Sequence, residues 1–166
     1  MRLTVASWHR WGLVAVALVA AACQHASKPP VQPPPQQVET GSTLNLRSPL
    51  DFPAGSSELL FQNERRISAA NLSRDMHYCR LTPDSDAPRT IPAGRLTVGA
   101  VGYDEREVGA TGEMTAVTRI SLAAQSGRPG YTLSCGWPAG GPARGFMSAE
   151  QIFNAIGGQF SMDLLR

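Results

Sequence analysis

Lysine, histidine and cysteine are all scarce in this 166-residue chain: there is one lysine, Lys28, and three each of histidine and cysteine. Beyond Lys28 every basic residue is an arginine. Arginine favours two-pronged contacts with anions, but so uniform a choice reads first as coding bias. With no basic stripe to neutralise phosphates, nucleic acid is not an expected partner. Long apolar runs are missing too. The longest, residues 11–22, is about a dozen residues, short of the roughly 20 that span a bilayer. Catalytic signatures are equally sparse. G-x-S-x-G and C-x-x-C do not occur, and the glycine-rich stretch 140–145 lacks the lysine of a phosphate-binding loop. His9 and His25 precede the region that can fold, so a histidine-based hydrolase or a zinc site would rest on His77 alone. No metal and no cofactor is expected.

What is present begins with an address. Arg2 and Arg10 flank the start, a short apolar stretch follows, and Ala20, Ala21 and Ala22 lead into Cys23. A positive start, a brief apolar run and small residues at its exit describe an export signal over residues 1–22. The junction resembles a bacterial lipobox, in which small residues precede a cysteine that is acylated and becomes the first residue. It departs from the usual pattern in having Ala20 where leucine is customary. The resemblance implies lipidation at Cys23 and anchorage to the membrane through acyl chains. Several such chains, at about 0.8 kcal/mol per buried methylene, hold a protein nearly permanently. Gln24 rather than Asp at the next position implies, by the same resemblance, the outer membrane.

Residues 24–42 carry five prolines among Gln, Ser and Thr. Such a segment buries too little apolar surface to offset its ordering entropy. An extended tether is expected over 23–42, reaching at most roughly 60 Å at about 3.1 Å per residue. Loss of Arg2 and Arg10 would leave 13 basic against 13 acidic residues, so the mature chain is formally neutral.

Residues 43–166 suffice for one compact domain, and period two dominates them. Leu44 and Leu46, Leu96 and Val98, Ile120 and Leu122 alternate with polar or small residues, as do Tyr131, Leu133, Cys135 and Trp137. The stretch 58–62, ELLFQ, is a compact apolar strand. Turn-forming Gly, Pro and Asp separate these segments. The expectation is a mainly β domain, a small antiparallel sandwich or barrel. One stretch breaks the alternation. Ser148 with Gln151 three places on is a capping box; Ile152, Phe153 and Ile156 fall at helical spacing, and Gly157–Gly158 offers a left-handed stop. A two-turn helix is expected, then a last strand through Phe160, Met162 and Leu164. Residues 63–76 have weak periodicity and read as irregular connection. Pro-Ala-Gly recurs after Phe52, Ile91 and Trp137, a pattern for turns at strand ends.

Cys79 and Cys135, the even pair left once Cys23 is acylated, are expected to form a disulfide in an oxidising compartment. Closing that loop is worth about 4 kcal/mol in the chain-entropy model. For binding, the stretch Tyr103, Asp104, Glu105 and Arg106 is expected at an exposed hairpin tip, with Arg144 on a second contact loop; aromatic and arginine side chains dominate interface hot spots. Tyr131 and Trp137 are expected in the core. The carboxylates Asp104, Glu105 and Glu107, and the pair Asp84 and Asp86, are expected to be solvated. Three functions follow, in this order. The first is a non-catalytic accessory or adaptor domain that meets an envelope protein or glycan. The second is a ligand-binding module; residues 126–135, SGRPGYTLSC, loosely resemble loops of small β-barrel lipoproteins that inhibit lysozyme. The third is a polysaccharide hydrolase, which needs two carboxylates facing each other roughly 5 to 9.5 Å apart.

Overall fold

A computed structural model describes residues 36–84, 87, 89–124, 130–140 and 144–165. The export signal, Cys23 and most of the tether lie outside them. The domain is mainly β. Its order is β1 (Thr43–Leu46), β2 (Leu50–Asp51), β3 (Leu59–Gln62), β4 (Arg65–Ile67), a 3-10 turn at Ala69–Asn71, β5 (Tyr78–Pro83), β6 (Thr90–Ile91), β7 (Gly94–Gly109), β8 (Gly112–Ala124), β9 (Tyr131–Pro138), α1 (Ala149–Ile156) and β10 (Phe160–Asp163). Eight strands form one antiparallel sheet in the order β10-β1-β7-β8-β9-β5-β3-β4, and β2 pairs with β6 beside it.

The sheet curls about the residues that alternation assigns inward. Leu44, Leu81, Ile120, Leu122, Leu133, Cys79 and Cys135 are fully buried in one cluster. Phe61 of β3 meets Phe160 of β10 edge to face, with ring centroids 6.0 Å apart, so strands from near the sheet's two ends touch across the interior. α1 fills the remaining gap and touches β3, β4, β5 and β10. Its Ile152, Ala155 and Ile156 are buried. Cys79 and Cys135 stand opposite each other on β5 and β9 and are joined by a disulfide across 56 residues of sequence.

The helix starts as expected and stops differently. The Ser148 hydroxyl accepts from the Gln151 amide at 3.2 Å, and the Gln151 side chain accepts from the Ser148 amide at 2.9 Å. Gly157, however, is right-handed, with φ −58°. The two glycines serve close approach instead. A Cβ on Gly158 would lie 1.9 Å from the carbonyl oxygen of Glu64, in the turn between β3 and β4. Glu64 in turn donates its amide to the carbonyl of Asn154 at 2.9 Å. The Pro-Ala-Gly triplets do sit at strand ends, and Gly55, Gly94 and Gly140 all have positive φ.

Packing also reaches back before Thr43, the expected start of the domain. Val38 and Ser42 are buried, Val38 within the main core. Gly41 donates its amide to Val98 and Ala149 donates to Gln36. A β-branched apolar residue, Val38, is what lets the end of the tether join the fold. Residues 63–76 hold more order than expected: the short edge strand β4 and the 3-10 turn. The Gln62 side chain gathers this stretch, donating to the carbonyls of Ser73 at 3.0 Å and Met76 at 3.1 Å while accepting from the Ser73 amide at 2.9 Å.

Candidate functional site

The β7–β8 hairpin is too long for the sheet it belongs to. It turns at Ala110 and Thr111, and the end beyond the sheet folds over the outer face of β5 and β3. One residue re-aims it. Ala116 takes φ 49°, and the register of β8 against β9 shifts between Thr115 and Thr118. A bulge adds a residue to one strand and reverses which face each later side chain meets. Thus Val117 and Met114, three apart, join Leu60 and Tyr78 in a second small apolar cluster outside the main core. On β7, Asp104 and Glu107 likewise reach the same cation, Arg119.

Beneath the folded hairpin lies Arg80 of β5, only 1% exposed. Alternation explains its direction: Cys79 and Leu81 point inward, so Arg80 points out, into the space the hairpin closes. Its guanidinium donates to Glu107 Oε1 at 2.5 Å and to the Gly112 carbonyl at 3.4 Å, and its Nε lies 3.7 Å from Glu58 Oε2. Glu107 is shared: its Oε2 accepts from Arg119 at 3.0 Å and from the Ser134 hydroxyl at 2.9 Å. Arg119 also pairs with Asp104 at 3.1 Å. Burial alone would raise the Glu107 carboxyl, but the hydrogen bonds from Arg80, Ser134 and Arg119 outweigh it and hold the group below the usual carboxylate range. Gly109 permits the whole closure, since a Cβ there would lie 1.8 Å from the Arg80 guanidinium.

Beside this ionic cluster runs a cleft of about 600 Å³, bounded by Pro53–Leu60, by Arg66–Ala69 along β4 and its continuation, and by the hairpin tip Ala110 and Thr111. Glu58, 8% exposed, forms part of its wall. Its Oε1 is buried and has no hydrogen-bond partner among the described residues.

The expected binding residues do not form one loop. Tyr103, Asp104 and Arg106 sit within β7, several residues before the turn, because the strand runs on to Gly109. Asp104 belongs to the ionic cluster. Arg106, largely exposed, pairs with Glu113 at 3.5 Å across the hairpin. Tyr103 is half-buried; its hydroxyl donates to Gln37 Oε1 at 2.8 Å and its ring lies 5.0 Å from that of Phe146. Arg144 lies over the ring of Trp137, 4.3 Å from its centroid, and the Trp137 indole donates to the Gly145 carbonyl at 3.1 Å. His77 meets Trp137 edge to face at 5.2 Å. Burial holds this imidazole below its usual range and the Arg144 charge pushes the same way, against a hydrogen bond with the Gln151 backbone. Residues 144–146 thus carry two pairs, Arg144 over the buried Trp137 and Phe146 beside Tyr103, on one short segment, here called the aromatic shelf. Tyr131 and Trp137 are buried as expected.

Of the other carboxylates, Asp84 accepts from Thr132 at 3.4 Å, Glu105 is exposed, and Asp86 lies outside the described residues, as do residues 126–129 of the stretch that resembles lysozyme inhibitors. Alternation turns Arg80 and Arg119 outward, but only the strand pairing, which periodicity leaves open, sets both beside Ser134 and makes them a group. The one signal was an arginine between two strand residues that must face inward. Among the described residues no three or more His, Cys, Asp and Glu side chains are placed to hold a metal ion, and no helix is long and apolar enough to cross a membrane. The chain matches no protein-family model, no curated protein and no solved structure.

Proposed function

We propose that this chain is an outer-membrane lipoprotein, anchored by acyl chains on Cys23, whose β-domain acts by binding another component of the cell envelope and performs no chemistry. The observation that carries the reading is the shelf made by Tyr103, Phe146, Trp137 and Arg144. Each pair is held by its own contact, Arg144 over the Trp137 ring and Phe146 tilted against Tyr103, and the Trp137–Gly145 hydrogen bond ties down the segment between them before any partner arrives. Pre-ordered aromatic and arginine side chains lose little entropy on association and supply the anchors of interfaces. The carboxylates support the same reading over a hydrolase. Glu107 is held ionised by two arginines and a serine, whereas a general acid needs its proton near neutral pH.

The test is crosslinking in cells, with a photoreactive side chain in place of Tyr103 or Arg144 and Cys23 intact. The same envelope protein captured from both positions is the expected result. A lysozyme-like enzyme as the captured species would move the inhibitor reading to the front. Capture of nothing by the folded, anchored chain would contradict the adaptor reading.

A further inference from the structure

We infer that the groove between α1 and β10 is the seat of the chain's own proline run, with Pro33 packed against Phe153 and Leu164. The groove, about 240 Å³, is lined by Ala149, Glu150 and Phe153 of the helix, by Met162 and Leu164 at the end of β10, and by Gln36. Phe153 and Met162 are half-buried and Leu164 is 42% exposed. The floor is therefore apolar, and the polar residues Glu150 and Gln36 stand at its rim.

The described residues begin at Gln36, and three contacts fix the path of the chain there. The Gln36 carbonyl accepts from the Ala149 amide at 3.0 Å, the Gln37 side chain accepts from the Tyr103 hydroxyl at 2.8 Å, and Val38 is buried in the main core. One covalent bond then holds Pro35 beside the groove. The preceding residues are Pro30, Val31, Gln32, Pro33 and Pro34. Proline has no N–H, so this run cannot extend the sheet at β10, although β10 is its last strand on that side. Polyproline II is its favoured form, and aromatic-lined apolar grooves bind that form at low entropic cost. With three residues per turn, Pro33 shares a face with Gln36 and lies about 9 Å from it. Gln36 lines the groove, so that face is the one turned toward it. On α1, Ala149 and Phe153 are four apart and lie one above the other, which continues the floor in a row. Val31 and Pro34 fall on another face. On the reading that Cys23 carries the anchor, the free stretch then ends at Gln32. Its reach is roughly 30 Å instead of 60 Å. The seating of Pro33 itself does not depend on that reading.

The test places p-benzoylphenylalanine at Leu164 of the full chain in its membrane, with Cys23 intact. Irradiation should join residue 164 to the segment 30–35 of the same chain, in a band of monomer mass. Pro33→Ser should lower that yield several-fold, and Pro34→Ser should leave it unchanged. Without the probe, hydrogen exchange of the membrane-bound chain should rise at Phe153 and Met162 with Pro33→Ser and not with Pro34→Ser. Both substitutions precede the packed domain and leave its core intact. Capture of a phospholipid, of a second copy or of another protein at residue 164 would overturn the inference. So would no capture by the folded chain, or equal effects of the two proline substitutions. None of these outcomes bears on crosslinking at Tyr103 or Arg144, so the two readings fail separately.

Discussion

Arg80 is the residue on which the outer face of the domain turns. A guanidinium removed from water must be matched by carboxylates and carbonyls, and here Glu107, Glu58 and the Gly112 carbonyl do so. The match is pH-dependent, with a sign that can be worked out. The Glu107 carboxyl is held below its usual range in the fold, so the unfolded chain takes up its proton first. Its contribution is therefore complete above the ordinary carboxylate range and is lost as pH falls through the depressed folded value. His77 adds a separate loss at higher pH. Its folded imidazole also binds protons less readily than the unfolded one, so stability declines as pH drops below about 6.5. We predict that Glu107→Gln lowers the urea midpoint at pH 7 and that its difference from wild type shrinks between pH 5 and pH 3. A difference that stays constant with pH would mean that Glu107 stabilises by packing alone. In the sequence neither Arg80 nor its partners were singled out, although Arg80 stands between Cys79 and Leu81, which face inward. Asp104 and Glu107 are three residues apart, a spacing that places side chains on opposite faces of a regular strand, yet both meet Arg119; Ala116, on the strand opposite, carries no warning of its left-handed backbone.

Elements declared by local chemistry were legible in the sequence. The capping box at Ser148 and Gln151 forms as the spacing requires, and the strands that alternate strictly lie where alternation puts them. β4 was missed because its turn, Asn63–Glu64, carries no glycine, although both residues take positive φ. The tip of the β7–β8 hairpin was misplaced by several residues. Charged side chains in mid-strand look like a loop when a second layer, invisible to periodicity, is what receives them. The glycines after α1 were read for conformational freedom when their role is space. That distinction gives a prediction at this scale. Gly158→Ala drives a Cβ into the Glu64 carbonyl, which is backbone already tied to α1, so neither side yields easily. It should cost roughly 1–3 kcal/mol by denaturant unfolding, the range for overpacking. Gly102→Ala meets nothing within 4 Å and should stay within about 0.5 kcal/mol of wild type. Equal effects of the two substitutions would contradict the close-approach account.

At the scale of the molecule, two surface features are set on one curled sheet. The shelf is built by the segment leading into α1, and the cleft by the over-long hairpin. The disulfide joins β5 and β9, the strands that carry Arg80 and Ser134 on one face and the main core on the other, so one covalent link braces both layers. Its pairing was legible because only two cysteines fall within the domain. The curl was not, since period two fixes faces and leaves strand order open. The proposed function adds the anchor: acyl chains at Cys23, an extended stretch, and a domain whose packing begins by Val38. Every step of that reading depends on where the mature chain starts and what it carries. The most direct measurement is the intact mass of the protein purified from the membrane fraction, with Cys23→Ser alongside. The account predicts a mature chain beginning at Cys23 and heavier than its sequence by several acyl chains, with the Cys23→Ser chain lacking them and no longer in the outer membrane. A chain beginning at Cys23 with an unmodified thiol, or one that retains residues 1–22, would contradict it.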